Sequence, residues 1–416
     1  MTPQKQQEVR NQILYETNRT SEPVGFPVLP LIPSARYTSK DFFDLEMEKF
    51  WTRVWLPVAR EEELSKPGDF VVWRKIGKPI LVIRGKDNVV RAFYNTCRHR
   101  GAAVTPEDSG SVPRLVCQFH AWCYDLDGRL LTVPDLHDFP GGVDKKSMGL
   151  KPLRCEVANG TIFINCDLDA RPLKEHLAPY TAEIACMEPQ KLRLVHKHKW
   201  IVDANWKAAL DAFQETYHLR IVHRNSFAKA YDQKTAAMGL IENGHSRMVI
   251  GYLPGALEVI MAQRSDDTPD IPGTSELNRN HSITYTVFPN GQSTIRAAMI
   301  FENRFWPIAP NKTEVEFVAI APDWGDGPVP EYWVKAAPLN ISFLDEDLEN
   351  LNSIQESLES GALEGMTINY QERRIYWTQQ MIDEVIGPEN IPQELRVPPI
   401  LDEFVEPFVE SDQVLS

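Results

Sequence analysis

The apolar positions of this chain fall into two periods. From Asp69 they run as short β-branched or aromatic stretches, DFVVWRKI, PILVIRG and VVRAFYN, broken at 77–79 and 85–88 by Gly, Lys, Asp, Asn and Pro; these predict three strands. RLV at 114–116 predicts a further short strand. Asp127-Gly128 and Asn159-Gly160 read as tight turns, the second joining PLRCEVA to TIFINC. HSITYTVFPN, STIRAAMIFENRFWPI and NKTEVEFVAIAP, within 281–321, predict long antiparallel strands. A helical period appears elsewhere. One helix starts near Thr38 or Ser39, where Thr38 with Asp41 resembles a capping box and Phe42, Leu45, Phe50 and Trp51 supply the apolar side. Others are expected over 173–187 and 331–386. In NWKAALDAFQETYHLRIVH, the residues Trp206, Leu210, Phe213 and Tyr217 are placed toward the core, with Asp211, Glu215, His218 and Val222 on the adjoining stripe. Residues 1–36 carry Pro23, Pro27, Pro30 and Pro33 and read as a surface or subunit-contact arm rather than one helix. The fold class is α+β.

Composition narrows the setting. The 416 residues are 43% hydrophobic and 25% charged, an ordinary globular balance. The net charge of −14, from 44 basic and 58 acidic side chains, argues against nucleic acid or an anionic membrane as partner. The first residues, MTPQKQQEVRNQ, are polar and unlike a signal peptide. No apolar run reaches the roughly 20 residues a membrane helix needs. Six cysteines are too sparse for a disulfide scaffold. A cytoplasmic location is expected, and there paired Cys and His point to metal.

Such pairs occur twice in one stretch: Cys97 with His99 in CRHRG, and Cys117 with His120 in CQFHAW. Two thiolates and two imidazoles can hold tetrahedral zinc, or a 2Fe–2S cluster with two Cys on one iron and two His on the other. A second constellation lies downstream. His218 and His223 are five apart, a spacing that rotates the second roughly 140° from the first on an ideal helix. They can share a metal only where the helix loosens after His218. In FLDEDLENLNSIQESL, the apolar stripe Leu344, Leu348, Leu351, Ile354 and Leu358 includes Asp347, while Asp345 and Glu346 project toward solvent. A buried carboxylate needs a partner, either a metal or an Arg or Lys. Two His and one carboxylate with open positions form the facial triad of non-haem Fe(II) enzymes.

Together the two motifs resemble the α subunits of Rieske non-haem iron oxygenases, the aromatic-ring-hydroxylating dioxygenase family. Cys97–Ala102 and Cys117–Trp122 resemble the Rieske domain. NWKAALDAFQETYHLRIVH, EDLENLNSIQ, VFPN and WPIAPNKTEVEF resemble the catalytic domain, so the likeness covers most of 38–360. It implies a β-rich Rieske domain at 55–165 inserted into a catalytic domain, residues 1–54 and 166–416, with a central antiparallel sheet flanked by helices. Cys97 and Cys117 would bind one iron of the Rieske 2Fe–2S cluster, and His99 and His120 the other. His218, His223 and Asp347 would hold a mononuclear Fe(II), with O2 as co-substrate. Electrons would come from NAD(P)H through a reductase or ferredoxin. Glu215 stands where the family has an acid, most often Asp, linking a neighbour's Rieske His to an iron-ligand His. That link implies a head-to-tail homotrimer, with or without a separate β subunit.

The expected activity is hydroxylation of an aromatic or similar apolar substrate by this terminal oxygenase component. Two departures bear on it. Glu rather than Asp at 215 resembles the branch acting on quaternary ammonium compounds such as carnitine and betaine, which makes demethylation or cleavage of such a compound the alternative. Asp211-Ala212-Phe213 stands where many members have Glu-Asn-Phe. A zinc-stapled binding protein is the remote third reading. Phe213, Met238, Met248, Phe288, Met299 and Trp306 are pocket candidates, with core packing the blander account of each. His137, His176, His196, His198, His245 and His281 are read as surface or core groups. Cys123, Cys155, Cys166 and Cys186 are read as small buried hydrophobes.

Overall fold

The strand-period stretches pair as antiparallel ladders in the computed structural model, which describes residues 1–262 and 268–408. The chain divides into two compact units, Trp51–Glu175 and Met1–Phe50 with His176–Ser416. The expected boundaries at 55 and 165 thus fall inside the first of these units.

In that unit seven strands form one sheet in the order Leu56–Arg60, Thr161–Asn165, Pro152–Ala158, Val90–Tyr94, Ile80–Arg84, Asp69–Trp73 and Ser109–Ser111. All neighbours are antiparallel. The Asn159-Gly160 turn has both residues at positive φ, 53° and 72°, the conformation that matches hairpin twist. A smaller sheet joins Leu115–Val116, Cys123–Tyr124 and Leu130–Thr132. Phe70, Leu81, Ile83, Phe93, Trp122 and Tyr124 lie in the core between these strands and the two Cys-His loops.

The second unit is built on eight strands. Seven run antiparallel in the order Arg193–Val202, Lys312–Ala321, Ile300–Ala309, Gly291–Ile295, His281–Val287, Ser246–Tyr252 and Tyr231–Ile241. Val405–Glu406 adds in parallel at the edge. STIRAAMIFENRFWPI, expected as one strand, is two: the chain turns at 296–299, where the Arg296 N–H donates to the Met299 carbonyl at 3.0 Å. Helix Glu331–Glu359 lies against Arg193–Val202 and Lys312–Ala321, and Arg373–Ile386 lies near Tyr231–Ile241. The expected helical stretch 331–386 is therefore interrupted at 360–372.

Three further expectations change. The arm contains a 16-residue helix, Pro3–Asn18, because all four prolines named above follow it. Thr2 caps it and Pro3 occupies its first turn, where a missing N–H costs nothing. The cap near 38 is Ser39, whose hydroxyl accepts from the Phe42 N–H at 3.3 Å, while Thr38 ends a separate short helix, Ala35–Thr38. The helix of the NWK motif runs only over Trp206–Asp211, so Tyr217 is exposed rather than core-facing.

Candidate metal centres

The two Cys-His loops are the same backbone device used twice. The Cys97 N–H donates to the Ala102 carbonyl and the Gly101 N–H to the Cys97 carbonyl; the Cys117 N–H donates to Trp122 and the Ala121 N–H to Cys117. Each loop closes on a residue at positive φ, Gly101 at 80° and Ala121 at 56°. Both thiols are buried, and the His99 and His120 rings stand 4.7 Å apart. His99 stacks on Trp122 at 4.9 Å, and its Nδ1 is buried without a hydrogen-bond partner. A buried, unpaired ring nitrogen is costly unless something ligates it. The Tyr124 hydroxyl lies 3.3 Å from Cys97 Sγ and accepts from the Arg98 N–H at 3.0 Å. Hydrogen bonds to ligand sulfur tune a cluster's potential.

His218 and His223 flank the one-turn helix Leu219–Val222 as its N-cap and C-cap residues. The helix breaks between Asp211 and Leu219, ahead of His218; the loosening expected after His218 does not occur, since the turn runs on to Val222, and the two rings stand 5.3 Å apart. Glu215 explains the break. Its carboxylate accepts from the backbone N–H groups of Tyr217 and His218, capping the new turn. The same carboxylate engages His218 Nδ1. Glu346 Oε2 accepts from His223 Nδ1 at 2.7 Å and from the Ser226 hydroxyl at 2.5 Å. With both Nδ1 atoms held, both Nε2 atoms point at one carboxylate: Asp347 Oδ1 lies 3.3 Å from His218 and 2.9 Å from His223.

Asp347 is buried, and among the described residues its ion-pair partners are these histidines rather than an Arg or Lys. Burial opposes charge on His218, but the hydrogen bonds and charges of Asp347 and Glu215 outweigh it and push the pKa up to about 10. His223 is raised by Asp347 and Glu346 against burial, and Asp347 is lowered by both histidines against burial. A single divalent cation would replace those two protons with the same total charge at the same focus.

Among the described residues, His218, His223 and Asp347 are the one group of three or more Cys, His, Asp or Glu ligand atoms lying within 4.8 Å of one another. Cys97, His99, Cys117 and His120 do not converge in this way. Tetrahedral zinc, with bonds of roughly 2.0–2.3 Å, would require it; a cluster that puts the thiolates and imidazoles on different irons does not.

What positions Asp347 is the Asn205-Trp206-Lys207 motif. Asn205 caps the short helix, and its backbone N–H donates to Gln355 Oε1 at 2.9 Å, tying that helix to the one bearing Asp347. Lys207 makes a fully buried ion pair with Glu46 at 2.7 Å, and the Trp206 indole donates to the same carboxylate.

A cavity of about 120 Å³ opens on His218, His223 and Asp347, with Phe213, Leu219, Met248, Ile250 and Phe301 among its walls. A larger one of about 730 Å³ shares Phe227, Tyr231, Arg296, Phe301 and Asn340 with it. Of the six expected pocket residues, Phe213 and Met248 line the first and Met299 the second. Met238, Phe288 and Trp306 line neither of these cavities and are core. Glu346 is a correction: it is half-buried and holds His223, while Asp345 accepts from the Trp200 indole at 2.8 Å. Ile354, placed on the apolar stripe, is exposed. Of the cysteines read as buried, Cys123, Cys155 and Cys166 are half-buried and Cys186 is exposed. Sequence reasoning also passed over Tyr124 and Arg296. Neither sits in a motif, and only the folded loop and turn reveal them.

A sequence profile for the Rieske [2Fe-2S] domain matches residues 54–147, and one for the ring hydroxylating alpha subunit catalytic domain matches 189–388. The methanesulfonate monooxygenase hydroxylase subunit alpha of Methylosulfonomonas methylovora is 31% identical over 301 residues, 69% of this chain and 71% of that protein. The chain belongs to the Rieske oxygenase alpha subunits. The carnitine monooxygenase oxygenase subunit of Acinetobacter baumannii is another relative, 34% identical over 46% of this chain and 52% of its own length. Among solved structures, a quaternary ammonium Rieske monooxygenase in complex with L-carnitine shares the fold at TM-score 0.73 and 23% identity, covering 89% of this chain and all of that one. Naphthalene 1,2-dioxygenase from Rhodococcus sp. does so at TM-score 0.70 and 21% identity, over 94% and 100%. As a Rieske oxygenase alpha subunit the chain uses a Rieske 2Fe–2S cluster, a mononuclear iron and O2, takes electrons from a reductase or ferredoxin and acts on a small molecule. No helix among the described residues is long and apolar enough to cross a membrane.

Proposed function

We propose that this Rieske oxygenase hydroxylates an aromatic or similarly apolar substrate at a mononuclear Fe(II) held by His218, His223 and Asp347. Cys97 and Cys117 hold one iron of the cluster, and His99 and His120 the other. The observation that carries the reading is the convergence of two Nε2 atoms and one carboxylate beneath a mainly apolar cavity. When bound, the two centres supply electrons and activate dioxygen. The protein's own part is positioning. Glu215 and Glu346 fix the tautomer and orientation of the ligand rings. Phe213, Leu219 and Ile250 exclude water and leave the substrate as the main occupant. Glu215, already held to His218, would also bridge to the Rieske His of a neighbouring subunit in a homotrimer, which works in the cytoplasm with a ferredoxin or NAD(P)H reductase.

A second reading, demethylation or cleavage of a quaternary ammonium compound, is favoured by Glu215 and by the relatives named for carnitine. The reconstituted enzyme, given NAD(P)H and a reductase, separates the two. Label from 18O2 should enter an arene-derived product. Label or formaldehyde released only from carnitine or γ-butyrobetaine would transfer the assignment to the second reading. Absence of oxygen uptake with either class would remove the first.

A further inference from the structure

Arg296 is the one charged side chain common to both cavities; among the described residues it has no carboxylate partner, and it takes no part in the metal centre. It sits in the turn that splits the expected long strand, so its side chain enters the space between strand ends and helix Glu331–Glu359. Its Nε is buried and unpartnered. Its neighbours are neutral: the hydroxyls of Tyr231, Tyr252 and Tyr332, and the faces of Phe301 at 5.3 Å and Phe227 at 5.7 Å from Cζ. Burial first, then Tyr231, raises the Tyr252 pKa, so that phenol remains a hydrogen-bond donor. The other charges lining the larger cavity are paired: Arg279 with Asp270 at 2.8 Å, and exposed Lys335 with exposed Glu331 at 2.6 Å.

A half-buried guanidinium whose Nε is buried, set among phenols and phenyl rings, lacks a carboxylate counter-charge among the described residues. We propose that Arg296, with the hydroxyls of Tyr231 and Tyr252, binds an anionic group of the substrate, a carboxylate or a sulfonate, and orients the remainder toward the iron. The proposal rests on the oxygenase reading above and specifies its substrate class. Phe227 sets the scale. Its ring lies 5.7 Å from the guanidinium and 5.4 Å from the His223 ring. Both neighbour the same ring, so the anchor and the metal centre are close and the substrate is compact. The same guanidinium repels a cationic group and occupies the two phenyl faces that a quaternary ammonium would use.

Three anions and their neutral isosteres test this by calorimetric titration of the holoenzyme: methanesulfonate, benzoate and benzenesulfonate against methanesulfonamide, benzamide and benzenesulfonamide. Phenyltrimethylammonium serves as the cation. At least one anion should bind about 10- to 100-fold more tightly than its isostere. Arg296→Gln should erase that preference, and Arg296→Lys should restore part of it, with the Rieske visible spectrum reporting that each variant is folded. The readout is binding, so it is independent of turnover. Anion preference lost in Arg296→Gln, but with no oxygen uptake by wild type, would count against the oxygenase reading and leave the anion site standing. No anion preferred over its isostere by wild type, a preference unchanged in Arg296→Gln, or tightest binding of the cation would each overturn the proposal. Should Arg296→Gln not fold, the wild-type isostere comparison and Arg296→Lys decide the matter alone.

Discussion

Glu346 offers the sharpest test of how the mononuclear site is assembled. Its Oε2 accepts from His223 Nδ1 at 2.7 Å and is itself held by the Ser226 hydroxyl at 2.5 Å. Glu346→Ala leaves all three ligand atoms in place and removes only the acceptor that fixes His223 as an Nε2 ligand. Loss of such an outer partner typically lowers metal affinity about 10- to 100-fold, or about 1.4–2.8 kcal/mol. The Glu346 side chain is 34% exposed, so water can replace part of the contact and the lower end of that range is expected. His223 is itself buried and packed on Phe227, which limits the freedom it gains. The assay is anaerobic Fe(II) titration of protein freed of its mononuclear metal, with the cluster's visible absorption as an internal control. Glu346→Gln, whose amide oxygen still accepts from Nδ1–H, should stay within a few-fold of wild type. Wild-type affinity in Glu346→Ala would refute the orienting role, and equal damage in both variants would show that the negative charge matters rather than the acceptor.

Two further outcomes follow from the buried groups behind the site. Lys207→Met strands Glu46 without its buried partner and should destabilise the catalytic unit by about 3–5 kcal/mol in urea unfolding, with Glu46→Gln added to it recovering much of the loss; a single variant as stable as wild type would show the pair contributes nothing. Asp211 is raised from an ordinary 3.8 to about 7 by burial, which the Tyr37 hydrogen bond and the Lys207 charge only partly offset. A carboxyl whose folded pKa is raised favours the fold below its unfolded pKa and loses that contribution as pH rises through the folded one, here between about pH 4 and 7, by up to about 4 kcal/mol. Asp211→Asn should therefore flatten the fall in melting temperature from pH 5 to pH 8, and an unchanged slope would exclude Asp211 as its source.

The parts of this structure legible in the sequence are those where one period or one motif decides. The strands at Asp69–Trp73, Ile80–Arg84 and Val90–Tyr94 follow alternating β-branched runs, and the triad follows from paired spacing plus one carboxylate on an apolar stripe. The rest depends on contacts between distant segments. Four prolines after position 22 hid the helix Pro3–Asn18, although Thr2 and Pro3 mark its start. The break before His218 contains no Gly or Pro; its signal is Glu215, an acid placed to cap the turn that follows. Glu346 lies off the apolar stripe on a helical wheel, and it is half-buried because the loop of His223 and Ser226 covers that side of the helix. Arg296 was unreadable because a turn, not a strand, places it.

The central claim, a Rieske cluster paired with a separate iron on His218, His223 and Asp347, is tested most directly by counting iron against acid-labile sulfide in wild type and Asp347→Ala. Wild type should contain one iron per chain beyond those matched by sulfide, and Asp347→Ala should lose that one alone, with the Rieske absorption unchanged and turnover abolished. Protein without labile sulfide and with one zinc per chain, or an Asp347→Ala variant that keeps the extra iron and its activity, would contradict the account.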